Sequence, residues 1–480
     1  MKYFIKVTLI MIVFFTISKG QGIGSNGAMN AKNLAMAATN AVSARGVFAI
    51  GVNPANLVIK QNHKWEFSTL LPLPTLTATI GNDFFSLNDY KYFFTGVTND
   101  NGQKEGRHLT VNDKERLLKL FDQGTLVNTS VGTTILAFSM YPNKKIGALG
   151  FSVNDWTSVN LNFPKEILEL LLYGNQKGKT FSLNDLDFKG WYLRNYSLSY
   201  SRDLSELFPD AFKFFAVGIT LKMVHGLFYS GVDYINTSIE TKDNYDISIQ
   251  GNSRILTAAS PSFGIKYDFE DENIEKQQNI GFFNKPAGTG YGVDLGIYAG
   301  INKAWSFAIA LTDLGTIKWN NGVVAYSSNG SYTIKNVTDK GLLDSLKNSL
   351  KGKGSYAEPF STSLATAMKL GVGLQIDKLL KRKFPGKMLL EFNYHQGFNT
   401  MPGNTKKERF SFGMQWTPFK WFNFRSGLSL GGYDKFNWAI GFGFDTGILD
   451  LDFAASYFQS FLDGNNAKRL GVAMSSRWKF

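Results

Sequence analysis

The chain has 480 residues, no cysteine, 15% aromatic residues, 48 glycines and a formal net charge of +13. Its mean hydropathy is −0.13, and no stretch reaches the about 20 consecutive apolar residues of a membrane helix, which excludes a helical membrane protein. Without cysteine there is no lipoprotein anchor.

At the start, Lys2 and Lys6 precede an apolar run of 11 residues, Val7 to Ile17, followed by Ser18, Lys19 and Gly20. At about 1.5 Å per residue the run cannot cross a ~30 Å hydrocarbon core. Residues 1–20 therefore read as a signal peptide cleaved near Gly20/Gln21. Cleavage removes Lys2, Lys6 and Lys19, and 48 basic minus 38 acidic residues leaves +10. On an exported chain this excess suits anionic lipid head groups or anionic solutes, or is a basic surface with no partner; a nucleic-acid partner is not expected.

Residues 21–61 form the next unit. They carry little bulk, with Gly22, Gly24, Gly27, Ala28, Ala31, Ala35, Ala37, Ala38, Ala41 and Ala44 leading to Asn53-Pro54-Ala55-Asn56-Leu57. Their Ala and Leu content is too high for a solvated linker. The expectation is a small plug or hatch inside a barrel lumen, its helix ended before Asn53 because Pro54 disfavours helix there.

From residue 62 onward the pattern is strands. The first half offers Trp65–Ile80 (broken by Pro72 and Pro74), Val131–Tyr141, Ile146–Trp156, Trp191–Arg202, Phe212–His225 and Arg254–Asp268. Between them lie two helical patterns: Leu117, Leu118, Leu120 and Phe121 behind Asn112 as a cap, and Ile167, Leu168, Leu170 and Leu171 opened by Pro164 and stopped by Gly174. Leu342, Leu343, Leu346 and Leu350 make a third amphipathic turn.

After about Gly290 the two-residue alternation is nearly unbroken. Phe410, Phe412, Met414 and Trp416 oppose Arg409, Ser411, Gly413 and Gln415; Phe436, Trp438, Ile440, Phe442 and Phe444 oppose Asn437, Gly441, Gly443 and Asp445. Leu449, Leu451, Phe453, Ala455 and Tyr457 face away from Asp450, Asp452 and Ser456. In the last segment Leu470, Val472, Met474, Trp478 and Phe480 share a face that only Ser476 interrupts, opposite Arg469, Gly471, Ala473, Ser475, Arg477 and Lys479. Side chains alternate across a strand. A soluble sandwich alternates too, but its strands are shorter than the 9–11 residues a tilted membrane strand needs. Long strands, with bulky apolar residues on one face and Gly, Ala and Ser on the other, point to a transmembrane antiparallel β-barrel over residues 62–480.

Connection lengths agree. With Phe480 at the periplasmic end, Asn302-Lys303, Thr417 to Lys420 and Asp445-Thr446-Gly447 fall at periplasmic turns and are short. The long connections, Glu270 to Thr289 and Gly315 to Phe360, fall outside, and Trp305, Trp416, Trp421 and Trp478 gather at the periplasmic rim. The segments number fifteen, one off an even count. Either a further strand crosses within Ser230–Gln250 or the Pro-broken first segment belongs to the plug; the expectation is 14 strands, with 16 the alternative.

The Ala-rich stretch ending in Asn53-Pro-Ala-Asn-Leu57 is similar to the plug of the long-chain fatty-acid transporter (FadL-like) superfamily. With Leu221-Lys-Met-Val-His-Gly226, Thr312-Asp-Leu-Gly-Thr-Ile-Lys-Trp319 and Phe360-Ser-Thr-Ser, the chain resembles a Bacteroidota branch of these outer-membrane barrels. The resemblance implies 14 strands, an N-terminal plug and passage of hydrophobic molecules; the superfamily also includes a shuttle of the type IX secretion system. The outer insertions are large, and no fatty-acid-site residue can be placed here.

Other motifs lack the context their chemistry needs. Gly427-Leu-Ser-Leu-Gly431 fits the nucleophile pattern, but Ser429 lies within a strand instead of a strand-to-helix elbow. Gly174-Asn-Gln-Lys-Gly-Lys-Thr180 is one residue short of a phosphate loop. His63, His108, His225 and His395 have no metal-ligand spacing, although His395 beside Glu391 and a serine would be the one hydrolase arrangement. The acidic run from Asp268 to Glu275 lacks the glycine spacing of a calcium loop. The expectation is a non-enzymatic barrel without cofactor, in the outer membrane of a Gram-negative cell. It would pass small hydrophobic solutes, or alternatively dock a secreted or surface protein. Its partners would be outer-membrane lipid and the barrel assembly machinery, the latter reading a C-terminal signal at Trp478 and Phe480.

Overall fold

Strands with two unlike faces leave no backbone edge open when they close into a ring, the condition for crossing a bilayer with strands. The computed structural model describes residues 30–480 except 60, 62, 99–100, 175, 245, 268, 270–273, 277–280, 282, 335–352, 381–383 and 434. The wall begins with β1, in two pieces, Trp65–Thr69 and Thr75–Asn82. It continues through β2 (Leu126–Asn143), β3 (Gly147–Asn162), β4 (Asp187–Asp203), β5 (Phe214–Thr241), β6 (Gly288–Gly300) and β7 (Trp305–Trp319). The second half is β8 (Ala367–Gln375), β9 (Lys387–Gly397), β10 (Arg409–Phe419), β11 (Phe422–Gly431), β12 (Lys435–Asp445), β13 (Leu449–Ser456) and β14 (Arg469–Lys479).

Each strand pairs antiparallel with the next. The ring closes where β14 meets both pieces of β1, through Phe67↔Trp478 and the run from Leu76↔Met474 to Gly81↔Arg469. The chain is a closed 14-stranded antiparallel β-barrel; the alternative of 16 does not hold.

The faces fall as the alternation requires. On β14, Val472 is 51% exposed on the outside and Ala473 7% on the inside. Phe412, Leu428 and Phe442 are exposed on the outer band, while Ser411, Ser429 and Asp452 are buried within. Ser476 breaks the apolar face for a local reason: its hydroxyl donates to Leu73 O (2.6 Å) in the link between the two pieces of β1. Tight turns join β2 to β3, β6 to β7, β10 to β11 and β12 to β13 at the rim that also holds Phe480. Trp421 stacks on Phe419 and Phe444 there, and the indoles of Trp416 and Trp478 donate to turn carbonyls of Pro385 (3.0 Å) and Leu71 (3.3 Å).

The odd count has a different source from either expected. The Pro-broken first segment is part of the wall, and no extra wall strand lies in Ser230–Gln250. The segment that drops out is Arg254–Asp268. β5 pairs directly with β6 up to Gly226↔Gly288 and then continues beyond the barrel. There it pairs with Ile247–Ala259, which pairs with Val323–Ile334, which pairs with Lys353–Tyr356. This outer sheet buries Phe181, Ile239, Ile247 and Ile249 against the helix Lys165–Tyr173. An outer sheet with one covered face alternates just as a wall strand does.

That helix begins after Pro164 and ends at Gly174, as read from the sequence. The helix expected behind Asn112 spans Val111–Leu120 instead, capped by Thr110 with a reciprocal box to Asp113. A further outer helix, Leu87–Phe94, was not anticipated. The third helical pattern at Leu342 to Leu350, the signal peptide and residues 21–29 lie outside the described residues.

Candidate functional site: the barrel interior

Small inward residues leave room for another part of the chain, and residues 30–58 occupy it. Helix α1 (Ala31–Ala35), capped by Asn30 Oδ1 accepting from Asn33 N (2.9 Å), lies against β11 to β14. The turn Gly46–Ala49 touches β1 to β3, and the turn Pro54–Val58 touches β2 to β6. The segment thus crosses the lumen from one side of the ring to the other.

Wall residues hold this segment by polar contacts. Arg409 Nη2 donates to Ala37 O (2.7 Å), Glu391 accepts from Val42 N (2.7 Å), and Glu66 accepts from Val47 N (3.0 Å). Ser201 Oγ donates to Ala55 O (3.0 Å), and Ile297 O accepts from Asn53 Nδ2 (3.2 Å). Asn53 also caps its own turn by accepting from Ala55 N, whereas Asn56 donates within the segment, to Ala41 O (2.9 Å). Asn53-Pro54-Ala55 presses so closely on Gly218 and Gly296 that a Cβ at either position would overlap it, a close approach only glycine allows.

Ion pairs line the same level. Glu66 and Asp450 flank Arg477, Asp452 pairs with Arg425 (2.6 Å), and Lys479 bridges Asp445 (2.5 Å) and Asp450 (2.6 Å). Sequence reasoning did not single out the next group. Lys222 on β5 reaches Asp294 on β6 (2.7 Å) and Asp313 on β7 (2.6 Å), all fully buried. Asp313 stands at φ +56°, where β7 bulges against Val293/Leu295, and its N–H donates to Asp294 (2.8 Å). The available signal was three charged residues at inward positions of otherwise small-residue faces.

Towards the outer mouth the interior turns apolar. Trp156, Trp191, Tyr229, Trp319, Leu364 and Met401 belong to one buried cluster. Trp319 donates its indole N–H to Thr362 (2.9 Å), and a Cβ at Gly226 would collide with its ring. Three of the four stretches that carried the family resemblance meet here: Lys222 and Gly226 from one, Asp313 and Trp319 from the second, Phe360 and Thr362 from the third. The β9–β10 connection bends inward over this cluster, with Met401 inserted and Asn404 donating to Thr366 O (2.9 Å). Tyr433 on the β11–β12 turn holds it from above, donating to Asn404 O and accepting from Asn160 (2.8 Å).

The hydrolase arrangement is not assembled. Ser429 accepts from Arg409 (3.0 Å), Glu391 is engaged by Val42, and His395 sits in register between Lys369 and Arg409. His225 packs on Tyr196, His63 pairs with Glu66, and His108 lies in an outer connection. Lys179, in the loop that resembled a phosphate site, pairs with Glu169. Much of the acidic run from Asp268 lies outside the described residues. Among the described residues no cluster of His, Asp and Glu forms a metal-binding group.

A profile of the family described as "Family of unknown function (DUF5723)" matches residues 54–455, most of the chain. The chain belongs to that family. No curated protein sequence matches this DUF5723 member. Among solved structures it is similar to the toluene transporter TbuX of Ralstonia pickettii, at 11% identity over 94% of this chain and 98% of that one, with a TM-score of 0.45. It is similar also to the toluene transporter TodX of Pseudomonas putida, at 10% identity over 96% and 100%, TM-score 0.44. A FadL homologue of Pseudomonas aeruginosa aligns at 10% identity over 96% and 100%, TM-score 0.38. At these scores the architecture rests on the strand register itself.

Proposed function

We propose that this chain is an outer-membrane channel for small hydrophobic solutes, closed at rest by its own N-terminal segment acting as a plug. The observation that carries the reading is the interior itself: a segment that is no part of the wall fills the inner half, and an aromatic and aliphatic cluster fills the outer half. The wall alone would satisfy a simple anchor, and polar water-filled lumens serve hydrophilic solutes. An apolar outer half suits the entry of solutes that partition out of water. The motif resemblance to fatty-acid transporter barrels points the same way. Export by a signal peptide, an outer-membrane lipid surround and insertion by the barrel assembly machinery belong to this reading.

Removing residues 21–50 tests it. Expected is a folded barrel, by heat-modifiable migration on gels, with conductance in planar bilayers several-fold above the full chain. A folded deletion variant that conducts no better would overturn the channel reading.

The outer sheet supports a second reading. A channel has no need of an ordered extension of β5, and this one presents a rigid platform with the helix Lys165–Tyr173 on it. A docking barrel for a secreted or surface protein would lose its partner on removal of residues 247–259 and keep its conductance unchanged on removal of residues 21–50.

A further inference from the structure

The two halves of the lumen segment are not held alike. In the half that leads into the wall, residues 46–58, the left-handed backbone positions are Gly46 and Gly51, where glycine adopts them freely. Its second turn, Pro54–Val58, is capped by Asn53, which satisfies both ends of its amide, and Phe48 lies under the Arg477 guanidinium at 5.3 Å. In the other half, residues 30–42, two consecutive alanines, Ala37 (φ +50°) and Ala38 (φ +54°), hold the left-handed conformation. Each carries a steric penalty that glycine would not.

The polar groups of that half are also poorly matched. The Thr39 hydroxyl and both ends of the Asn40 side-chain amide are fully buried without a hydrogen-bond partner. Buried polar groups left unpaired destabilise the seat that holds them. Lys32 lies within the field of Arg425, Arg477 and Arg45, with Asp452 opposing them. Against these stand wall contacts from Arg409 to Ala37 O, from Val42 N to Glu391 and from Asn40 N and Ala41 N to the Asn393 side chain. The side-chain amides of Asn53 and Asn56 also hold Ala41 O. Release breaks these bonds, whereas the strain at Ala37 and Ala38 and the unpaired Thr39 and Asn40 groups favour it.

We infer that residues 30–42 are a displaceable half of the plug, seated under strain, and that residues 46–58 are a fixed anchor, so the lumen opens by a hinge near residues 43–45. This rests on the segment acting as the closure, and it specifies how the closure moves. The anchor half has one such orphan, Asn56 Oδ1, but glycine at both of its left-handed positions. Strain concentrated in residues 37–40 lowers the free energy of local opening mainly there.

The chain has no cysteine, so single cysteines report cleanly. Thr39 and Ala55 are both 0% exposed, and a rigid segment would protect them equally. In the full chain, reconstituted in vesicles, Thr39→Cys should react with a water-soluble thiol reagent at least about tenfold faster than Ala55→Cys, a difference of about 1.4 kcal/mol in opening. Ala41→Cys, also 0% exposed, replaces Thr39→Cys should the latter fail to fold. Adding Ala37→Gly and Ala38→Gly to the labelled variant should slow its reaction several-fold by relieving the strained conformation. Equal rates at residues 39, 41 and 55, or no slowing by the glycines, would overturn the hinged release. The labelling reads motion without reference to conduction. A channel reading that failed the deletion test would therefore leave this result standing, and the reverse holds too.

Discussion

Lys222 sits in a fully buried charge group. One ammonium faces two carboxylates from neighbouring strands, at 2.7 and 2.6 Å, in a place that water reaches poorly. Deleting one partner of such a group leaves uncompensated charge and typically costs about 3–5 kcal/mol, whereas replacing the whole group by neutral residues costs far less. Lys222→Met should therefore lower the urea midpoint of heat-modifiable migration markedly. The triple change with Asp294→Asn and Asp313→Asn should recover most of the loss. Asparagine suits position 313 because it tolerates the left-handed backbone found there. A silent Lys222→Met would mean that the group does not hold β5, β6 and β7 together.

A second residue-scale effect lies beyond the barrel wall, in the connection between β1 and β2, at Asp89. Burial pushes its carboxyl up, but hydrogen bonds from the Ser86 hydroxyl and N–H and from Arg116 outweigh that and hold it below the ordinary carboxylate value. A group held low in the folded state contributes stability that is present above its unfolded pKa and is lost as pH falls through the folded one. The helix Leu87–Phe94 should loosen at acidic pH. Hydrogen exchange of its amides, corrected for intrinsic rates, should accelerate there in the wild type and show little pH dependence in Asp89→Asn.

At the scale of elements, the wall was legible because one physical rule governs all of it. Phe442 and Gly443, or Val472 and Ala473, could be assigned to opposite faces from period two alone, and their exposures agree. An outward position tests this energetically: on the proposed membrane reading, Phe442→Arg should cost about 2–4 kcal/mol of barrel stability, measured by urea unfolding in vesicles. An equal tolerance of Phe442→Arg and Phe442→Leu would contradict the assignment of faces. The same rule misplaced Arg254–Asp268, since period two reports a half-covered sheet and not what covers it. The cap at Thr110 was missed because Asn112 and Thr110 are both good capping residues, and the reciprocal Asp113 decides between them.

The interior was much less legible. Gly218, Gly296 and the alanines of residues 31–44 announced close packing, but not which wall strand each would meet. The Lys222 group and the Trp319 cluster depend on contacts between residues far apart in the chain, 91 positions for Lys222–Asp313 and 43 for Trp319–Thr362. No local periodicity encodes such pairs. Short stretches shared with a family pattern reached them only indirectly, through Lys222, Gly226, Asp313, Trp319 and Thr362.

For the molecule as a whole, the decisive junction is where the last strand meets the first. Phe480 N donates to Trp65 O (2.9 Å), and Phe480 O accepts from Trp65 N (3.0 Å) and Lys64 N (2.9 Å). Its ring stacks on Phe67 at 5.7 Å, and Trp478 lies on the other side of Phe67 at 6.0 Å. Below the Pro-broken link, the described seam has the register pairs Glu66↔Lys479 and Phe67↔Trp478, the Ser68 hydroxyl on Ser476 O (2.7 Å) and the Glu66–Arg477 pair. The terminal residue adds its own backbone and ring contacts to this closure. Phe480 thus has two separable roles, a seam contact and the proposed signal for the assembly machinery. Phe480→Ala keeps the backbone bonds and removes the ring. In vesicles, without machinery, it should fold to nearly the wild-type yield with a modestly lower urea midpoint. In cells the folded, heat-modifiable fraction should fall several-fold. Deleting Phe480 removes the backbone bonds as well and should lower the yield in both settings. Equal loss for Phe480→Ala in vesicles and in cells would assign the ring to the seam alone, and a wild-type yield in cells would remove its role as a signal.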